Sequence, residues 1–189
     1  MRMRYALAPL VLLATATAQA GGFEAALSNE SAQATLFTDS RAIGYGGANL
    51  EAGLFYDQDD DYAVHLGVFV EGAARSKQPF SFGVGARFYY IDYDPDSLDA
   101  RSFAIGLGAK YHLPGSMPMA LGVVGFYGPD ITTAGDADSL SDVTARFEIE
   151  VVPGASAFVG YRWFETGMKH SSKDYTLDDN AQLGLRVTF

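Results

Sequence analysis

No cysteine occurs anywhere in the chain, so neither a disulfide framework nor a thiolate metal or redox centre supports this protein. Basic residues are scarce: 13 Lys and Arg stand against 23 Asp and Glu, a formal net charge of −10. Phosphate backbones are held by clustered Lys and Arg, so this balance argues against nucleic acid as a partner. After residue 20 no segment approaches the roughly 20 consecutive apolar residues of a membrane helix. A role inside a membrane would therefore fall to strands. A phosphate loop, a dinucleotide fingerprint and zinc-ligand spacing are also missing, and no cofactor is expected.

What is present begins with "MRMRYALAPLVLLATATAQA". Basic Arg2 and Arg4 precede an apolar stretch from Tyr5 to about Ala18, which closes on the small-x-small triplet Ala18-Gln19-Ala20. This layout predicts a secretory signal peptide over 1–20, cut after Ala20, and its apolar part is too short to span a bilayer. No cysteine follows the cut, so a lipid anchor is not expected. Residues 21–189 are expected to form a single domain.

The period of the mature chain is two. In "YAVHLGVFVEG" Tyr62, Val64, Leu66, Val68 and Val70 share one face, with His65, Gly67 and Glu71 on the other. The same alternation runs through "GANLEAGLFYD", "FSFGVGARFYY", "SFAIGLGAKYH", "VTARFEIEVV", "ASAFVGYRWFE" and "NAQLGLRVTF". "PMALGVVGFY" is apolar on both faces, which leaves its orientation open. Alternation of this kind predicts strands and no helix. The segments run about 10 or 11 residues, matching a tilted strand that crosses a bilayer, against 5–6 in soluble sheets. "HLPGSMP" (112–118) and "VVPGAS" (151–156) read as tight turns, whereas "GPDITTAGDADSLSD" (128–142) and "TGMKHSSKDYTLDD" (166–179) read as long polar loops on the opposite side. All prolines beyond residue 20 fall in connections or at strand ends, as ladder hydrogen bonding requires.

In "FEAALSNESAQATLF" a two-residue turn at Asn29-Glu30 would pair Leu27 with Ala32, Ala25 with Ala34 and Phe23 with Leu36. With this hairpin the expectation is an all-β fold: a transmembrane antiparallel up-and-down β-barrel of ten strands. Eight strands with an N-terminal appendage is the alternative.

The apolar face is expected to meet lipid. Tyr56, Tyr62, Tyr90, Phe103, Tyr127 and Trp163 would form one aromatic girdle, and Phe80, Tyr111 and Phe189 the other. The inward face would then carry Glu51, His65, Glu71, Arg87, Lys110, His112, Arg146, Glu148, Glu150, Arg162 and Arg186. Charges in a narrow lumen must be paired, so an interleaved, hydrogen-bonded network that fills a polar lumen is favoured over an open channel.

Of sixteen aspartates, fifteen fall in the four predicted loops opposite the tight turns. Asp92, Asp94 and Asp96 alternate like calcium ligands, but Ser97 and Phe103 stand where an EF-hand needs Gly and Glu. They remain a weak divalent-cation candidate, able to bridge the loops to anionic lipopolysaccharide; a solvated acidic rim is the plainer reading. "KHSSKD" places His170 beside Ser171 and Ser172, but sequence neighbours in a loop do not make a nucleophile–base geometry, and no catalytic residue is assigned.

"FYGPD" (126–130), "ARFEIEVVPGASAFVGYRWFE" (145–165), "LSNESAQATL" (27–36) and "YDQDDDY" (56–62) resemble the YfaZ family of bacterial outer-membrane proteins. The resemblance implies an outer-membrane barrel, loosely porin-like, and brings no catalytic residues with it. Phe189, an aromatic C-terminus on an alternating strand, resembles the signal read by the barrel-assembly machinery. The expected function is structural, interaction or porin-like. A narrow passive channel for small solutes is the first alternative and a lipid-modifying enzyme the second. The expected partners are outer-membrane lipid, lipopolysaccharide and, during insertion, the assembly machinery.

Overall fold

The computed structural model describes residues 21–43, 47–72, 79–94, 98–169 and 174–189. Ten strands make the wall: β1 (Gly21–Leu27), β2 (Ser31–Asp39), β3 (Asn49–Asp57), β4 (Tyr62–Glu71), β5 (Phe80–Tyr93), β6 (Leu98–Leu113), β7 (Met119–Gly128), β9 (Ala137–Val152), β10 (Ala155–Met168) and β11 (Tyr175–Thr188). A three-residue strand, β8 (Thr133–Gly135), takes over from β7 as the partner of β6 toward the rim, on the edge of β6 opposite β5. Each wall strand is antiparallel to the next, and β11 closes on β1 with Leu183 opposite Leu27 and Val187 opposite Phe23. Gly21 and Phe189 exchange backbone hydrogen bonds of 2.9 and 2.8 Å. A closed ring leaves no unpaired edge, which hydrocarbon would not tolerate.

The N-terminal hairpin has the expected register, with Leu27 opposite Ala32, Ala25 opposite Ala34 and Phe23 opposite Leu36. The Ser28 hydroxyl accepts the Ser31 N–H at 2.8 Å and holds the turn. At the other tight turn Gly154 has φ +82°, a left-handed conformation that a side chain would strain. The end where Gly21 and Phe189 meet is here called the base, and the opposite end the rim.

Among the described residues, the segments expected as long polar loops over 128–142 and 166–179 are mostly strand. Residues 137–142 pair with the end of β10, where Leu140 lies opposite Thr166 and Asp142 opposite Phe164. β10 and β11 likewise remain paired beyond Phe164. Irregularities between Gly167 and Met168 and between Phe164 and Glu165 break the period of two at Asp138 and Leu177, and the run of Asp and Ser over 138–142 looks like loop even where the register is regular. Connection length therefore does not distinguish the ends: the base has connections 40–48 and 72–79 besides its tight turns, while the rim has 28–30 and 58–61. What distinguishes them is how far the wall continues beyond the aromatic girdle.

The alternation sorts the faces as expected. Leu66, Phe82, Ile105, Leu107, Leu183 and Leu185 point outward and are exposed; Ile105 keeps 66% of its surface and Leu185 61%. Toward the rim this belt ends on exposed Tyr56, Tyr62, Phe103, Tyr127 and Trp163, and toward the base on Phe80 and Phe189. β7 resolves its ambiguity with Ala120 and Phe126 buried in the lumen and Leu121, Val123 and Tyr127 exposed outside. An apolar band between aromatic girdles is the surface of a barrel solvated by lipid.

Candidate functional site in the lumen

The lumen has two unlike halves. Toward the rim it is filled by Phe55, Ala63, Tyr89, Ile91, Tyr93, Ala100, Ala104, Phe126, Ala137, Leu140, Phe164 and Leu177, a single buried cluster. Phe55 meets Phe164 edge-on at 5.7 Å, and Tyr93 meets Tyr175 edge-on at 4.8 Å. The Tyr93 hydroxyl is satisfied by Thr166 Oγ1 at 2.6 Å. The lumen was expected to be polar throughout. The strand extensions make the difference, because Ala137, Leu140 and Leu177 come from segments that read as loops.

Below this seal lies a tier of ion pairs. Arg162 donates from Nε and Nη2 to the two Asp142 oxygens at 3.0 and 3.1 Å, and from Nη1 to Gln33 Oε1 at 3.0 Å. Arg87 grips Glu51 with Nε at 2.5 Å and Nη2 at 3.1 Å and reaches Asp142 at 3.5 Å, where the Tyr89 hydroxyl also donates at 2.9 Å. Two cations and two carboxylates balance here. Both guanidinium groups also cover aromatic faces of the seal, Arg87 over Phe126 at 3.9 Å and Arg162 over Phe164 at 4.5 Å.

A second tier lies nearer the base. Arg146 donates to Glu24 at 2.9 Å, and its Nε lies 2.5 Å from Glu148 Oε1 as an ion pair, although that oxygen accepts no well-aligned hydrogen bond. Lys110 reaches Glu148 at 3.2 Å, and Arg186 approaches Glu24 at 3.5 Å. Between and beside the tiers is a cavity of about 140 Å³, lined by Glu24, Glu51, Arg87, Lys110, Arg146 and Arg186 among others. Side-chain exposure rises from 2% at Arg162 to 22% at Lys110 and 30% at Arg186, so the cavity opens toward the base.

Of the expected lumen residues, Glu51, Arg87, Lys110, Arg146, Glu148, Arg162 and Arg186 are joined in these tiers. Glu150 instead accepts the Gly154 N–H at 3.1 Å and braces the base turn. Glu71 accepts the Ser81 hydroxyl at 2.7 Å, and His112 Nε2 lies 3.4 Å from the same hydroxyl. The Ser81 proton is thus given to a carboxylate rather than to a base oriented for nucleophilic attack. His65 is buried against Tyr89 with centroids 5.6 Å apart, and its Nε2 has no hydrogen-bond partner. The sequence reading missed Glu24 and Asp142. Glu24 lies between Phe23 and Ala25 in the hairpin, and Asp142 continues the inward series Thr144, Arg146 and Glu148, so the alternation itself was the signal.

At the rim, Asp92 accepts the Tyr90 hydroxyl at 3.4 Å, and Asp94 donates its N–H to Asp61 Oδ1 at 2.8 Å. Asp96 and the His170-Ser171-Ser172 segment lie outside the described residues. No group of three or more His, Asp or Glu residues poised for a metal ion occurs among the described residues. In the rim turn beyond Tyr56, Asp57 accepts the N–H groups of Asp59 and Asp61 at 2.9 and 3.1 Å. Burial pushes its carboxyl up to about 6, despite those hydrogen bonds. Burial raises Asp61 as well, although Tyr175 donates to it at 2.7 Å.

The family model described as YfaZ precursor matches residues 1–189. The chain belongs to the YfaZ family. No curated protein matches it. Among solved structures it is similar to the outer-membrane channel DcaP of Acinetobacter baumannii, at 14% identity and a TM-score of 0.41 over 88% of this chain and 54% of that one. It is similar to outer-membrane-expressed OmpT of Vibrio cholerae at 15% identity and a TM-score of 0.39, covering 84% and 56%. A bacterial polysaccharide outer-membrane secretin matches at 14% identity and a TM-score of 0.40, covering 84% and 55%. The chain spans about half the length of these structures. The placement in the outer membrane follows from the molecule itself: a closed antiparallel ring with an apolar, aromatic-bordered exterior is an outer-membrane β-barrel.

Proposed function

We propose that this YfaZ-family barrel is a non-conducting structural or interaction protein of the outer membrane, with its acidic rim facing outward and its base facing the periplasm. The seal is the observation that carries this reading: Phe55, Tyr89, Ile91, Tyr93, Leu140 and Phe164 are all at most 1% exposed across one end of the lumen. A lumen filled by aromatic side chains offers no path to hydrated solutes. At the rim, Arg101 and Lys169 are the basic side chains among the described residues, against Glu30, Asp57, Asp59, Asp60, Asp94, Asp99, Asp130, Asp136 and others. This excess of negative charge disfavours direct contact with lipopolysaccharide phosphates and favours contact through divalent cations or with cationic partners.

The pairing of Phe189 with Gly21 supports a role for the terminal ring in assembly, because the last strand must dock on the first to close the wall. Deleting Phe189 is expected to lower outer-membrane levels of the heat-modifiable form while secretion continues. Planar bilayers test the closed state. Purified protein should show no stable conductance steps, and the Phe55→Ala, Phe164→Ala double variant should introduce them. Steady steps from the unaltered protein would establish the second reading, a narrow channel, which the base cavity favours.

A further inference from the structure

We infer that the cavity at the base is a binding site for one small oxyanion, a carboxylate or phosphate group reaching it from the base side. This goes beyond the closed-barrel reading and borrows from it only the direction of entry.

The charge tally of the two tiers differs. In the upper tier Arg87 and Arg162 are matched by Glu51 and Asp142, with both carboxylates gripped by two guanidinium nitrogens. In the lower tier three cations, Lys110, Arg146 and Arg186, share two carboxylates, Glu24 and Glu148. Arg146 takes the short contact with each. Lys110 is left with a single contact at 3.2 Å, and Arg186 with one at 3.5 Å while its guanidinium lies over Phe37 at 4.2 Å. An ammonium has three donors and a guanidinium five, so most of this capacity is unspent at the cavity wall. Glu71 faces the same cavity from β4, but its contact is the Ser81 hydroxyl rather than a cation.

The space beside these cations is real. Gly122 on β7 faces inward next to Lys110, and a Cβ built there meets nothing nearer than the Lys110 stem at 3.7 Å. The cavity of about 140 Å³ equals the share of roughly four or five waters, enough for a hydrated monoanion. Phe37, Phe69 and Val124 line it on other sides and lower the local dielectric, which strengthens a charge-assisted contact to Lys110 or Arg186.

The test uses the full-length mature protein folded in detergent, with inorganic phosphate and acetate titrated separately by calorimetry at low ionic strength. Saturable one-site binding of at least one anion is expected, and the two titrations show which oxyanion chemistry the site takes. Lys110→Met should weaken binding about tenfold, the size of one charge-assisted hydrogen bond. Gly122→Leu fills the space without removing a charge or straining the strand, so it should abolish binding while the barrel stays heat-modifiable. Absence of saturable binding for both anions overturns the inference, as does binding that survives Gly122→Leu in a folded barrel. Conductance is read in a separate measurement, so steps in a bilayer would overturn the closed-barrel reading while leaving this one standing.

Discussion

The rim half and the base half of the lumen are built from the same ten strands, yet they solve opposite problems. The rim half is dry and aromatic: Phe55, Phe164, Tyr89 and Leu140 pack there as in the core of a soluble protein. The base half is ionic and keeps a cavity beside Lys110, Arg146 and Arg186. Between them, Arg162 and Arg87 belong to both, since their guanidinium groups pair with carboxylates at the edges and cover rings of the seal with their faces. Burying an ion pair costs desolvation that only dense hydrogen bonding offsets. The upper tier, against the seal, has that density, and the lower tier, open to water, does without it.

The largest effect should come from breaking the boundary. Arg162→Ala leaves Asp142 buried with only Arg87 and Tyr89, and is expected to cost about 3–5 kcal/mol, read as a lower urea midpoint for the heat-modifiable form. Phe164→Ala opens the seal itself and should cost about 3 kcal/mol by cavity formation. Combined with Phe55→Ala, it should also admit a leak conductance, because two rings are then missing from the seal. In the lower tier, Lys110→Met removes a partly exposed pair worth no more than about 1 kcal/mol, so folding should barely change. If it destabilised the barrel as much as Arg162→Ala, the contrast between the tiers would be wrong.

The smallest effect lies at the rim turn. Asp57 is raised to about 6 in the folded turn, from an ordinary value of 3.8. Between those values the folded turn holds more protons than the unfolded one, so the turn loses stability as pH rises from about 4 through 6. Amide hydrogen exchange at Asp59 and Asp61, corrected for the intrinsic pH dependence, should therefore become less protected over that interval. Asp57→Asn keeps an oxygen acceptor for both N–H groups, and should flatten the profile.

The wall was legible in the sequence because lipid outside and polar groups inside impose a period of two, and the hairpin register followed from keeping Phe23, Ala25 and Leu27 on one face. The seal was not. Ala137 lies beyond one irregularity and Leu177 sits at another, while Leu140 keeps the regular register but is surrounded by Asp138, Ser139, Ser141 and Asp142, which look like loop sequence. Asp142 disappeared into the same apparent loop and took with it the central acid of the upper tier. Glu24 was missed for a different reason: it is a single acid in a short hairpin, and its partners Arg146 and Arg186 lie more than a hundred residues away. Pairing of that range is set by barrel closure, which local pattern does not encode.

The absence of cysteine makes the central claim directly measurable, because each introduced thiol is the only one present. Gly122→Cys places a thiol in the base cavity and Ala63→Cys places one in the seal. With a membrane-impermeant maleimide, the account predicts that neither is labelled from outside intact cells. Once the reagent reaches the periplasm, Gly122→Cys should be labelled and Ala63→Cys should stay protected. Labelling of Gly122→Cys from outside an intact outer membrane would contradict a lumen closed at the rim and open at the base.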